Sequence, residues 1–302
     1  MASTSQDLIV LTSPPASGKT YWISSLTGSL IPNRILVVSP LRALADECRN
    51  KWQETVIVMT PEEWLTKKVI ADVVIFDEFH LLFYWGDTFR PIMWEVFYTL
   101  SQHAHLSVLL TATLSLEMQQ EVSNFQSHFD SITWIDHGNQ TLKYLPDFYI
   151  KAPSSGWMLR QIETEPMEES VKLIFCQYRE EVLALERKLM KLGYSCVSCI
   201  GGESKFMKDK LQKNPSPDFI ISTTVLSHGV NLPDIRKIFF LYKVENLDFW
   251  IQMVARGGRR GESYQVFALE RPHVLPWYPV QNFFKVQWLT LKQNLSLRSI
   301  SL

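Results

Sequence analysis

The amino-acid sequence predicts an α/β protein with two parallel-sheet domains, and three observations carry that prediction. The first is two series of short apolar runs. DLIVL, RILVV, TVIVM, DVVIF and SVLLT fill the N-terminal half, and VKLIFC, YSCVSCI, DFIIST, KIFFLY and YQVFAL the C-terminal half. They are rich in Val, Ile and Leu and do not alternate with polar residues, as expected of parallel strands covered on both faces. The second is a set of helix-start signals between the runs, which makes the order strand–helix–strand. The third is a small-residue loop, SPPASGKT from Ser13 to Thr20, placed between the first run and a helix that should begin near Lys19.

Taken in order, Leu8 to Leu11 form the first strand and SPPASGKT follows it. A strand, a loop and a helix carrying Gly-Lys-Thr make a phosphate cradle. Pro15, Ala16, Ser17 and Gly18 wrap the anion, the helix N-terminus faces it, Lys19 adds a point charge, and the Thr20 hydroxyl can ligate Mg²⁺. Ser13 stands where the usual pattern has Gly. Ser39-Pro40 reads as an N-cap and N1 proline ahead of LRALADECRNKW. Thr60-Pro61-Glu62-Glu63 reads as an N-cap, an N1 proline and a capping-box Glu at N3. After VVIF comes Asp77-Glu78-Phe79-His80, an acidic pair at the carboxyl end of a buried strand, where parallel sheets bind ligands. There Asp77 would hold Mg²⁺ and Glu78 would orient and deprotonate an attacking water; the alternative is a solvated strand end. In the second series a helix is expected from Glu180 to Lys191, with Gly193 as its C-cap glycine. An irregular segment, His137 to Ser170, joins the halves, and TLKYLPDFYI could be the first strand of the second domain. The expected division is therefore 1–137, 138–270, and a short C-terminal extension, 271–302, packed across the second domain.

Composition narrows the function. The chain has 302 residues, 46% of them hydrophobic, enough for two buried cores. A formal net charge of −1 gives no global basic field, so any nucleic-acid site must be a local groove. Cys48, Cys176, Cys196 and Cys199 do not form a disulfide framework and fit a reducing compartment. Cys196 and Cys199 have CxxC spacing but lie in an apolar run that reads as a buried strand. His103 and His105 have no matching carboxylate or Cys pattern and read as loop residues. With no signal-like N-terminus and no apolar stretch of ~18 residues, the expectation is a soluble, cytoplasmic, monomeric protein with no membrane partner. Phe83, Tyr84 and Trp85 read as packing residues rather than base-stacking ones, and Trp277 and Tyr278 as exposed candidates for stacking.

Eight segments now fall into one order: SPPASGKT, SPLRALADE, TPEEWL, DEFHLL, TAT, LIFCQYR, STTVLSHGVNLP and QMVARGGRRG. This series resembles motifs I, Ia, Ib, II, III, IV, V and VI of the superfamily-two DExH-box helicases. Its wording is similar to the superkiller-like branch, which includes archaeal repair helicases. The resemblance implies two tandem RecA-like domains and an ATPase stimulated by single-stranded or tailed RNA or DNA. It implies ATP and Mg²⁺ held by Lys19, Thr20 and Asp77, with Glu78 as base. Gln252 would sense nucleotide, Arg259 would be the arginine finger, and Arg256 would contact phosphate or the acidic motif, although Ala255 replaces the first Gly of motif VI. His80 would couple the ATP site to Thr111, Ala112 and Thr113, while Gly229 and Asn231 of motif V would approach the nucleotide. Strand contacts would come from Pro40, Arg42, Thr60, Thr223, Thr224 and the backbone around Gln177 and Tyr178, with little sequence preference.

The branch usually continues into a winged-helix and a helical ratchet domain, for which this chain lacks the length. The nineteen positions from Pro233 to Gln252 also leave little room for a strand-splitting hairpin. A minimal core is therefore expected, with a protein partner supplying the wedge. One alternative is an ATP-gated clamp on RNA, DNA or a protein that does not unwind. A small-molecule kinase would leave the second domain and its arginines unexplained.

Overall fold

The computed structural model describes residues 6–19, 22–23, 35–52, 56–167, 170–200, 204–224 and 232–270. They form two compact units that divide between Lys143 and Tyr144. In the first unit six strands, β1 (Asp7–Thr12), β2 (Ile35–Val38), β3 (Ile57–Met59), β4 (Val73–Phe76), β5 (Leu106–Thr111) and β6 (Ser131–Asp136), make one sheet in the order β3-β2-β4-β5-β1-β6. Every pairing is parallel. The helices are α1 (Arg42–Trp52), α2 (Pro61–Lys67), α3 (Leu81–Trp85), α4 (Ile92–His103) and α5 (Leu116–Asn124). β2 and β4 are buried at every residue, and separate apolar layers cover the two faces. This is why those strands read as unbroken hydrophobic runs.

The second unit repeats the scheme with β7 (Phe148–Lys151), β8 (Val171–Phe175), β9 (Cys196–Cys199), β10 (Phe219–Ser222), β11 (Ile235–Phe240) and β12 (Gln265–Ala268). Their order is β7-β12-β11-β8-β10-β9, again all parallel. Its helices are α6 (Ser155–Glu163), α7 (Arg179–Lys191), α8 (Ser204–Lys213) and α9 (Leu247–Val254). Lys172 in the central strand β8 is fully buried and donates from Nζ to the Pro166 carbonyl at 2.9 Å, so its charge ends on a backbone acceptor.

Local signals differ in how they are realised. The Thr60 capping box forms in full: its hydroxyl accepts from the Glu63 amide, and the Glu63 carboxylate accepts from the Thr60 amide at 2.8 Å. Gly193 follows α7 at φ +93°, the left-handed position that a C-cap glycine supplies. The Ser39-Pro40 cap does not form. α1 starts at Arg42; the Ser39 hydroxyl donates to the Leu41 carbonyl at 3.4 Å instead of accepting a helix amide, and the Pro40 carbonyl takes the Arg90 guanidinium. The segment from His137 to Ser170 is not irregular throughout, since it holds β7 and α6. The division of the units falls after Lys143, not Gly138, because Asn139, Gln140 and Lys143 stay bonded to Leu114, Ala112 and Ala16 of the first unit. β6 was not anticipated: it is an edge strand whose residues are mostly exposed, so it lacks the apolar run that marks the others. The extension 271–302, with Trp277 and Tyr278, lies outside the described residues.

Candidate functional site

The phosphate-loop segment leaves β1 at its carboxyl end. Ser13 donates its N–H to the Thr111 carbonyl at 3.1 Å, and its hydroxyl is hydrogen-bonded to that of Ser17. Ala16 and Gly18 take φ values of 60° and 99°, whereas Ser13 and Pro15 do not. The left-handed turns of the loop therefore fall elsewhere, and a serine is tolerated at the position where glycine is usual. Lys19 donates from Nζ to the carbonyls of Ser13 (3.0 Å) and Pro14 (3.2 Å). The Trp22 amide donates to the Gly18 carbonyl at 2.9 Å, the first bond of the expected helix. Thr20 lies outside the described residues.

Asp77 and Glu78 sit just past β4, one strand away from β1, with β5 between them. Asp77 is buried, and its Oδ1 accepts the Glu78 amide at 3.0 Å. Burial raises the Asp77 carboxyl well above the ordinary carboxylate range, and the adjacent Glu78 charge raises it further; the Lys19 ammonium acts in the opposite direction. Burial lowers the pKa of Lys19, against the opposing pull of Glu78 and Asp77. These three groups therefore share one field, as a phosphate-and-cation site requires. Glu78 has φ 49°, a left-handed backbone that costs a non-glycine residue about 1 kcal/mol or more.

His80 is fully buried, with Nδ1 2.9 Å from Thr111 Oγ1 and 3.6 Å from Glu78 Oε2. Thr111 Oγ1 also accepts the Thr113 amide at 3.2 Å and donates to the Thr113 carbonyl at 2.9 Å. A hydroxyl has one hydrogen, so with that hydrogen on the carbonyl, His80 must donate from Nδ1. The chain Glu78–His80–Thr111–Thr113 brings together the residues expected to couple motif II to motif III. Phe83 packs edge-on against Phe79 and Trp94, in line with the packing expectation.

In the second unit, α9 is capped by Asn246, whose side chain accepts the Phe249 amide at 3.1 Å. Gln252 and Arg256 are buried, and among the described residues Gln252 Nε2 has no hydrogen-bond partner. Arg259 is partly buried and donates from Nε to the Ala255 carbonyl at 3.4 Å, while Arg260 is exposed and paired with Asp234 at 3.3 Å. The turn between these arginines is packed on Tyr264. A Cβ on Gly257 would lie 2.3 Å from that ring, and Gly258 combines a similar clash with φ +59°.

The proposed strand contacts divide. Arg42 and Thr224 are exposed, and Thr223 is half-buried past the end of β10. Pro40 is buried. The Thr60 hydroxyl is committed to its own helix cap. The amides of Gln177 and Tyr178 are not open to a phosphate, because both donate to Glu181 Oε2 at 2.9 and 3.0 Å; a carboxylate one turn into α7 already caps them. Gly229 and Asn231 lie outside the described residues. His103 ends α4 rather than lying in a loop, and His105 is exposed before β5.

Arg90 was missed by sequence reasoning. Its guanidinium grips Glu62 through two bonds of 2.7 and 2.8 Å and reaches the Pro40 carbonyl, tying the start of α2 to the segment before α1. The hydrogen bonds from Arg90 hold the Glu62 carboxyl down to about 2. That contribution to stability is present above the ordinary 4.5 and is lost as pH falls toward 2. Arg90→Ala is expected to return the Glu62 pKa toward 4.5, read by NMR titration of its side-chain carboxyl; an unmoved value would refute the grip.

Residues 157–261 match the family described as the helicase conserved C-terminal domain. Over 239 residues the chain is 23% identical to the bifunctional 3'-5' exonuclease/ATP-dependent helicase WRN of Mus musculus, covering 68% of this chain and 16% of the relative. Over 221 residues it is 22% identical to the probable ATP-dependent DNA helicase RecS of Bacillus subtilis, covering 68% of this chain and 42% of the relative. The DEAD-box ATP-dependent RNA helicase 35B of Oryza sativa is 27% identical over 94 residues, 30% of this chain and 15% of the relative. The matched part is less than half the length of each of these relatives. Among solved structures, S. cerevisiae Dbp5 bound to RNA and ADP BeF3 superposes with a TM-score of 0.68 at 14% identity, covering 97% of this chain and 84% of that one. Mss116p bound to ssRNA and AMP-PNP gives 0.67 at 16% identity, covering 88% and 66%. Both units have the RecA-like parallel-sheet α/β fold, and by sequence the chain is similar to superfamily-two helicases.

Proposed function

We propose that the chain is a nucleic-acid-stimulated ATPase that works as a helicase or translocase, hydrolysing ATP in the cleft between its two RecA-like units. The observation that carries this reading is the placement of Asp77 and Glu78 just past the end of β4, one strand from the phosphate-loop segment on whose carbonyls Lys19 rests. The match of the second unit to the helicase C-terminal domain supports it. Asp77-Glu78-Phe79-His80 supports the DExH class, and the P-L-R-A-L-A, D-E-F-H-L-L and G-V-N-L-P wording supports the superkiller-like branch.

Mg²⁺ fits the donors present. Asp77 is a buried carboxylate pressed against a second one, and a hard cation would favour its ionised form. Among the described residues no group of three or more His, Cys, Asp or Glu could hold a metal alone. A cation here would therefore rest on Asp77, Thr20 and the phosphate oxygens, and it would supply neutralisation of charge on the transferred group. Lys19 binds the phosphates, Glu78 orients and takes a proton from the attacking water, and Arg256 and Arg259 meet the charge that develops on the phosphoryl group. The buried Nε2 of Gln252 supports its role as the residue that senses nucleotide.

Single-stranded or tailed RNA or DNA binds along Arg42, Thr223 and Thr224, mostly through its backbone, with affinity that falls as salt rises. A second reading, an ATP-gated clamp that needs a partner's wedge, is favoured by one observation. Only residues 241–246 separate β11 from α9, too few for a strand-splitting hairpin. The described cysteines are free, which supports action in a reducing compartment such as the cytoplasm, and no helix among the described residues is long and apolar enough to cross a membrane.

The test is the ATPase rate with no polymer, with single-stranded RNA, with single-stranded DNA and with duplexes of each. Stimulation by a polynucleotide is expected. A rate indifferent to polymer but raised by a small phosphoryl acceptor would overturn the reading in favour of a kinase. ATP-dependent opening of a tailed duplex separates the helicase from the clamp.

A further inference from the structure

The segment that leads out of the first unit is bonded both to the phosphate-loop segment and to the Thr111–Leu114 stretch. Thr12, at the end of β1, lies in register with Asp136 at the end of β6. The Thr12 hydroxyl donates to Asp136 Oδ1 at 2.9 Å, and the same oxygen accepts the amides of Gly138 (2.8 Å) and Asn139 (2.7 Å). Burial works against this carboxylate, but those amides and the Thr12 hydroxyl keep its pKa below the ordinary value. Gly138 has φ +118°, and a Cβ there would lie 2.7 Å from Thr141 Oγ1 and 3.0 Å from Pro14 Cγ, so the segment presses directly on the phosphate-loop segment. Lys143 donates from Nζ to the Ala16 carbonyl at 3.3 Å.

The other side of the segment grips the Thr111–Leu114 stretch. Asn139 Oδ1 accepts the Leu114 amide at 2.8 Å, and its Nδ2 donates to the Leu114 carbonyl at 2.8 Å. The side-chain amide thus acts as an extra backbone rung. The Gln140 amide donates to the Ala112 carbonyl at 3.1 Å.

We propose that Asp136 and Asn139 are positioning residues for ATP turnover: Asp136 fixes the launch point of the phosphate-loop segment, and Asn139 fixes the Thr111–Thr113 stretch that receives His80. The inference rests on the nucleotide-site reading above and adds a division of labour to it. Asn139 acts on turnover through Leu114, and Asp136 acts on nucleotide affinity through Thr12 and Ser13.

The experiment uses the 302-residue chain and its Asn139→Ala, Asn139→Asp and Asp136→Ala variants. It measures binding of a fluorescent ATP analogue, steady-state kcat and KM for ATP with saturating single-stranded polynucleotide, and melting temperature. Asn139→Ala is expected to bind the analogue within about twofold of the parent and to lose about ten- to hundred-fold in kcat, the scale of a displaced reacting group. Asn139→Asp keeps the acceptor for the Leu114 amide and should recover part of that loss. Asp136→Ala, which removes the oxygen that holds Thr12, Gly138 and Asn139, should raise KM by about tenfold with a smaller effect on kcat. An unchanged kcat in Asn139→Ala, or a loss that disappears on cooling in step with its melting temperature, overturns the inference. A parent chain that turns over no ATP overturns the nucleotide-site reading as well, whereas a parent that turns over at the same rate as Asn139→Ala overturns this inference alone.

Discussion

Arg259→Ala is expected to lower the polynucleotide-stimulated ATPase rate by about 10³–10⁵, the range for loss of an arginine finger in related phosphoryl transfer. The three arginines of this run have different surroundings. Arg256 is buried in its own unit, Arg260 is an exposed partner of Asp234, and Arg259 is only partly buried on a turn braced by Gly257 and Gly258 against Tyr264. Of the three, Arg259 combines a braced backbone with a side chain still in reach of solvent. Nucleotide binding by the first unit should persist in Arg259→Ala. Arg259→Lys should recover little, because an ammonium cannot reproduce the planar fork of a guanidinium. Arg260→Ala serves as the control, since an exposed ion pair is worth about 0–1 kcal/mol and carries no catalytic role here. Stimulated turnover of Arg259→Ala within about tenfold of the parent would remove the finger assignment.

Glu78→Gln should reduce turnover by about 10²–10⁴, the usual loss for a general base, with ATP affinity preserved. It should also move Asp77. Burial is the larger cause of the raised Asp77 pKa and stays in place, but the second cause, the Glu78 charge, is gone, so the pKa shifts downward. Because the folded state holds the Asp77 proton more tightly than the unfolded chain, the contribution of this group to stability is fully present below the ordinary 3.8 and is lost as pH rises through the raised value. Glu78→Gln lessens that fall. The variant should therefore melt at a higher temperature than the parent near neutral pH while hydrolysing far less ATP. A variant that turns over normally, or melts lower at neutral pH, would contradict the shared-field account.

What could be read from the sequence was whatever depends on near neighbours. Buried parallel strands announce themselves because both faces must be apolar, and the Thr60 box works because all its parts lie within four residues. β6 stayed hidden because an edge strand with exposed residues needs no apolar run. The Ser39 cap failed because its hydroxyl turns to the Leu41 carbonyl while Arg90, from another segment, claims the carbonyl of Pro40. Similarly, the Gln177 and Tyr178 amides suited a phosphate in sequence, but the Glu181 carboxylate reaches them first. Arg90 carries no motif signature, since its value lies in joining Pro40 to Glu62, fifty and twenty-eight residues away in the chain.

The pairing of β7 with β12 has a consequence for how the chain is made. β7 opens the second unit, yet its sole sheet partner among the described strands is the last one, Gln265–Ala268. At about 5–20 residues per second of synthesis, Phe148–Lys151 emerges from the ribosome several seconds before anything exists for it to pair with. The first unit closes earlier, when β6 settles beside β1. A newborn chain therefore passes through an interval with one finished unit and one waiting, unmatched strand, and its need for chaperones should concentrate there.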